Sequence, residues 1–87
     1  MPIKVYHSKH CRPCDVVTQL IKKGQFEGDE EVELVDIDTE SGFNEFYKDV
    51  LEHGNSAVPS AYKGGERCKI KITEENDVLI FDCPKEV

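Results

Sequence analysis

Long apolar runs are missing from this 87-residue chain. None approaches the ~20 residues that a bilayer crossing needs, so no membrane association is expected. Also absent is a basic amino-terminal segment leading into an apolar one, the mark of a secretory signal. The expectation is a cytoplasmic, reducing location, although a mature secreted chain would read the same way. Cation excess is lacking too: 11 Lys and Arg face 18 Asp and Glu, a net charge of −7. A nucleic-acid-binding face is basic, so no nucleic-acid partner is expected, and the acidity favours solubility. No linker, internal repeat or low-complexity tract divides the chain. Its length leaves no room for a second core, and residues 1–87 read as one domain. Tryptophan is absent altogether.

What is present is unevenly distributed. Glu27, Asp29, Glu30, Glu31 and Glu33 form an acidic run that reads as a solvated loop, while Lys4, Lys9 and Arg12 gather around the first two cysteines. Ile3 to Tyr6 is short, β-branched and aromatic, as a strand is, and His7 to His10 follow as a polar loop. Val16, Val17, Leu20 and Ile21 then recur at helical spacing, with Pro13 in the first turn and Gly24 just past the end. Val32 to Ile37 reads as an interior parallel strand covered on both faces. Ser41 is the expected cap of a second helix carrying Phe43, Phe46, Tyr47, Val50 and Leu51 on one stripe and closed by Gly54. Crossover handedness sets the first two strands side by side and parallel.

A short strand, Ser60 to Lys63, and a Gly64-Gly65 turn come next. The remainder alternates as a hairpin with Glu74-Glu75-Asn76-Asp77 at its tip. Ile72 then faces Leu79, Ile70 faces Phe81 and Cys68 faces Cys83, all from one side of the sheet.

Cys11-Arg12-Pro13-Cys14 carries the chemistry. A thiol attacks a disulfide as thiolate, so a redox cysteine needs neighbours that stabilise negative charge. Cys11 precedes a helix amino terminus, whose unpaired N–H groups and dipole do so, and Arg12, Lys9 and His10 add positive charge. Cys14, about one turn on, is the more buried partner. Cys11 is thus read as the attacking thiol and Cys14 as the one that resolves the mixed disulfide, the two closing a redox-active bond.

In this motif, in its β-α-β-α order and in Val58-Pro59 at the start of the third strand, the chain resembles the thioredoxin and glutaredoxin family over roughly residues 1–65. The resemblance implies a thioredoxin-like α/β fold, written β-α-β-α-β-β, with a mixed central sheet and a carboxy-terminal hairpin. It implies that Pro59 is cis and lies against the Cys11–Cys14 motif. The Val58 backbone would pair with bound substrate, alongside His10, Arg12 and Pro13. The implied activity is thiol–disulfide exchange on disulfide-containing proteins, in the reducing direction, with a separate reductase as electron source and no cofactor. Several family features are absent. His10 stands where thioredoxins carry Trp, and Ile3, Lys4 and Val5 offer no buried acid, leaving His7 or His10 to serve Cys14. Ala57-Val58-Pro59 replaces Thr-Val-Pro, and Glu66-Arg67 follows Gly64-Gly65 where glutathione-holding acids would stand. The short length and early motif look closer to glutaredoxins and ribonucleotide-reductase donors. The final family helix is missing, so one sheet face needs cover from the hairpin or a partner. A monomer is expected, with that face as the route to a weak dimer.

Cys68 and Cys83 have three readings: a structural cross-strand disulfide, a pair of buried thiols, or a second redox or metal role. Two alternatives to an oxidoreductase stand beside it. His7, His10, Cys11 and Cys14, completed by Cys68 and Cys83, would make a zinc module, although the spacing lacks two paired knuckles and no metal ligand is assigned. A thioredoxin-fold adaptor would use the uncovered sheet face for binding alone.

Overall fold

The computed structural model describes residues 2–28, 30–51, 54, 58–75 and 77–83. In chain order they form β1 (Ile3–His7), α1 (Arg12–Lys22), β2 (Val32–Asp36), α2 (Glu40–Asp49), β3 (Ser60–Lys63), β4 (Glu66–Ile72) and β5 (Leu79–Asp82). The architecture is α/β: one mixed five-stranded sheet in the order β2-β1-β3-β4-β5, with two helices. The three carboxy-terminal strands read from the sequence are all present, so the written order β-α-β-α-β-β is one strand short. Ser60–Lys63 and Glu66–Ile72 are separate arms of a hairpin, joined by Gly64 and Gly65 at φ 57° and 82°, values that suit glycine in a two-residue turn.

β1 is an interior strand. It runs parallel to β2 and antiparallel to β3, and both Val5 and Tyr6, on its opposite faces, are fully buried. The interior position expected for Val32–Ile37 is corrected: β2 is an edge strand with one partner, only Val35 is buried, and Ile37 falls in the turn beyond it. A hydrophobic run reports burial of faces, whereas edge or centre depends on where β3 inserts, and β3 enters on the far side of β1. His7, assigned to the loop from sequence, is the last residue of β1.

α1 buries Cys14, Val17, Leu20 and Ile21 against the sheet. Val16 lies off this stripe and is 52% exposed, a correction to the sequence reading. Gly24 ends the helix at φ 73°, its N–H donating to the Ile21 carbonyl. The cap of α2 is Thr39, not Ser41: its Oγ1 accepts from the Gly42 N–H at 3.0 Å and donates to the Asp36 carbonyl at 2.8 Å. A Cβ at position 42 would collide with that same carbonyl, which accounts for glycine there. Phe46 and Val50 are buried beneath α2, but Phe43 and Tyr47 are about half exposed, at 47% and 51%. The buried stripe is narrower than five apolar residues suggest.

The helices lie on opposite faces. Beneath α1, Ile3, Val5, Ala61, Cys68 and Leu79 join Val17, Leu20 and Ile21. Beneath α2, Tyr6, Val35 and Tyr62 join Phe46 and Val50. The Tyr6 hydroxyl donates to the Asp49 carboxylate, and burial first, then that bond, holds the phenol protonated well above its ordinary range.

Among the described residues no helix follows β5. The hairpin itself bends over the α1 face. β4 pairs with β3 only through Glu66–Cys68 and with β5 through Lys69–Ile72, in the register read from sequence. β5 then reaches the segment after α1: Leu79 N–H donates to the Gln25 carbonyl and the Glu27 N–H to the Leu79 carbonyl, both at 2.9 Å. Phe26 meets Phe81 edge-on. At the hairpin tip Asn76 lies outside the described residues. Its flanks close through Thr73 N–H on the Val78 carbonyl at 3.0 Å.

Cys68 and Cys83 are bonded, Cα to Cα 4.1 Å apart, across a separation of 15 residues. Of the three readings this is the cross-strand disulfide. Loop-closure entropy for that span gives up to ~3 kcal/mol. Cys83→Ser is expected to lose roughly that in oxidising buffer and to match the wild type under full reduction, measured by urea unfolding. Equal stability in oxidising buffer would remove the bond's structural role.

Candidate functional site

The Cys11–Cys14 motif sits where β1 delivers the chain into α1. Cys11 is the N-cap, with extended backbone angles of −111° and 108°, and Pro13 fits the first turn because its missing N–H would have had no partner. Cys11 and Cys14 are disulfide-bonded with Cα atoms 5.2 Å apart. The Cys14 N–H points at Cys11 Sγ, 3.2 Å away. In the reduced form this amide, at the positive end of the helix, favours a thiolate on Cys11. Cys14 is 1% exposed, Cys11 is half-buried, and Arg12 and Pro13 are exposed. The two cysteines are unequal in access, and Cys11 is the outer one.

Across from them, the Val58–Pro59 peptide is cis. Its Val58 carbonyl oxygen lies 3.6 Å from Cys11 Sγ. As a disulfide Cys11 has no proton to donate, and as a thiol it can donate to that oxygen. Forty-seven residues of chain are thereby folded so that a backbone acceptor and the outer sulfur share one edge of the molecule. Comparison with protein-family models, with curated proteins and with solved structures finds no match to the chain.

One contributor escaped the sequence reading: Asp38. Its carboxylate accepts from the Lys9 N–H at 2.9 Å and from the Ser8 hydroxyl at 3.1 Å, and the His10 N–H in turn donates to Ser8 Oγ at 3.2 Å. The loop leading to Cys11 is thus tied to the turn after β2. Asp36 and Thr39 complete that turn, with the Asp38 N–H on Asp36 Oδ1 at 2.9 Å. The visible signal is Asp36-Ile37-Asp38-Thr39 before a helix, a turn-and-cap pattern, but nothing in it points to Ser8 or Lys9. The Lys9 amide above all, with the Ser8 hydroxyl and the electrostatic pull of His10 and Lys9, lowers the Asp38 pKa against a smaller desolvation cost. A lowered folded-state pKa contributes stability above the unfolded value, and that is lost as the pH falls through the folded one. Asp38→Asn is expected to melt below the wild type at pH 7, the gap closing in acid once Asp38 is protonated. A gap independent of pH would contradict this.

Of the charges gathered in sequence, Lys4 does not join the site. It pairs with Glu45 of α2 at 2.9 Å, on the opposite face from α1, and that hydrogen bond raises its pKa. Asp15 in the first turn of α1 adds negative charge instead. Of the two histidines named for Cys14, His10 is exposed, whereas His7 and Cys14 share a cleft of about 400 Å³ also lined by Asp15, Lys22 and Asp36. Among the described residues no group of three or more His, Cys, Asp or Glu stands together as a metal-donor set. None of their helices is long and apolar enough to cross a membrane. Ala57 lies outside the described residues.

Proposed function

We propose that the chain is a small dithiol–disulfide oxidoreductase of thioredoxin-like topology that reduces disulfides in protein substrates. One observation carries the reading: a half-buried cysteine caps a helix, accepts that helix's N–H from a buried partner cysteine, and faces a backbone carbonyl beside a proline. The order β2-β1-β3-β4-β5, with helices on both faces, supports the topology.

The chemistry balances with four sulfurs. Cys11 thiolate attacks one sulfur of a substrate disulfide; the Cys11–substrate bond forms, the substrate bond breaks, and its other sulfur leaves as thiolate. Cys14, having lost its proton, attacks Cys11 Sγ, closing Cys11–Cys14 and releasing the second substrate thiolate. Two electrons pass to the substrate, and solvent protonates both thiolates. A dithiol reductant or a reductase restores the pair by the same exchange in reverse. Cys14 sits one turn into α1, within bonding reach of Cys11, so resolution is intramolecular and fast. No cofactor or metal takes part, and the unit works as a cytoplasmic monomer.

The test is insulin-disulfide reduction driven by dithiothreitol. Wild type is expected to accelerate precipitation of the reduced B chain, and Cys11→Ser to give the rate of buffer alone. Equal rates from the two would remove the assignment.

A further inference from the structure

The sheet splits next to the candidate site. Continuing the β3–β4 register past Ala61 opposite Cys68 would set Lys69 against Ser60 and Ile70 against Pro59. The ladder ends at Ala61–Cys68, and Pro59, two residues before Ala61, has no N–H with which to resume it. Beyond that point Lys69–Ile72 pair with β5 alone among the described residues, so the other edge of β4 presents unpaired backbone groups. Between this edge and α1 lies a groove of about 680 Å³ bounded by Val17, Pro59, Ser60 and residues 67–72. Pro59 belongs both to the groove and to the peptide whose carbonyl faces Cys11.

The lining has a definite character. Val17 and Pro59 provide apolar wall, with Ile70 half-buried and Ile72 44% exposed. Arg67, Lys69 and Lys71 put three cations within five positions on a chain of net charge −7. Lys71 reaches Asp82 only at 3.7 Å, both side chains being well exposed, and Arg67 and Lys69 have no ion pair among the described residues. A cationic, partly apolar cleft with a free strand edge fits one kind of occupant: an extended, acidic protein segment.

We propose that the groove selects substrates by accepting, as an added strand on Lys69–Ile72, an acidic and apolar segment flanking the substrate's disulfide. This rests on the oxidoreductase reading and names its substrate class. Main-chain bonds to β4 supply affinity and register, Ile70 and Ile72 take an apolar side chain, and Arg67 and Lys69 reject basic sequences.

The probes are two peptides identical except for Glu or Lys at the positions flanking one apolar residue. Each is made as a disulfide for kinetics and with serine in place of cysteine for fluorescence anisotropy. Wild type is expected to favour the Glu peptide about tenfold in Kd and in kcat/KM, an advantage that shrinks with salt. R67E/K69E should abolish or invert the preference. K23E/K48E, which changes the charge equally at remote exposed positions, should retain it. N-methylation of alternate peptide amides should weaken binding. Equal affinity for the two peptides, or equal behaviour of both double variants, would overturn the proposal. Reduction of 2-hydroxyethyl disulfide by wild type tests the oxidoreductase reading separately. Its failure leaves the anisotropy comparison to decide the groove.

Discussion

Mixed with a disulfide-bonded protein, Cys14→Ser is expected to stall as a covalent Cys11–substrate adduct, visible as a band that vanishes on adding dithiothreitol. The reason is the unequal access of the two sulfurs. Under the proposed function Cys11, the half-buried cap, is the one to meet substrate, while Cys14, 1% exposed, is left to meet Cys11. With Cys14 removed, the first exchange proceeds and the second has no nucleophile, so steady-state turnover should fall by on the order of 10³-fold or more. Cys11→Ser should lose turnover equally and form no adduct, since the remaining thiol is buried. The pattern across the two variants matters more than either loss. Adducts formed equally through Cys14 would exchange the roles of the cysteines, and adducts from neither would remove the site.

Leu79→Ala is expected to cost ~3 kcal/mol of a total stability of about twice that for a chain this small. Leu79 is fully buried and joins the hairpin to Val17, Leu20 and Ile21, while its backbone bonds both ways to Gln25 and Glu27. Truncation leaves a cavity at the place where β5 closes the α1 face. Urea unfolding measures the loss. Below the melting transition, thiol exchange should persist, because the Cys11–Cys14 loop is held from elsewhere by Asp38 and Ser8. A cost under ~1 kcal/mol would show that the hairpin does not seal this core.

Much of the site was legible because its logic is local. Cys11, Pro13 and Cys14 stand at spacings that a helix start imposes, and the hairpin register followed from alternation of Cys68, Ile70 and Ile72 against Leu79, Phe81 and Cys83. Where the reading slipped, a distant partner decided. Val16, Phe43 and Tyr47 look like core by type, but the width of each buried stripe is set by what the opposing sheet face offers. Thr39 and Ser41 are equally good caps on composition, and the Asp36 carbonyl selects Thr39. Lys4 is close to Cys11 in sequence, yet strand alternation turns it to Glu45.

The sequence by itself determined the elements and the placement of the two cysteines at the head of α1, because spacing, capping and alternation act over a few residues. Only the tertiary structure decided three things. β2 lies at an edge because β3 inserts on the far side of β1. Asp38 anchors the cysteine loop because two turns distant in sequence meet above the sheet. The hairpin covers the α1 face because β4 leaves β3 after Ala61–Cys68 and carries β5 round to Phe26. Each depends on contacts far apart along the chain, and local pattern holds no record of them.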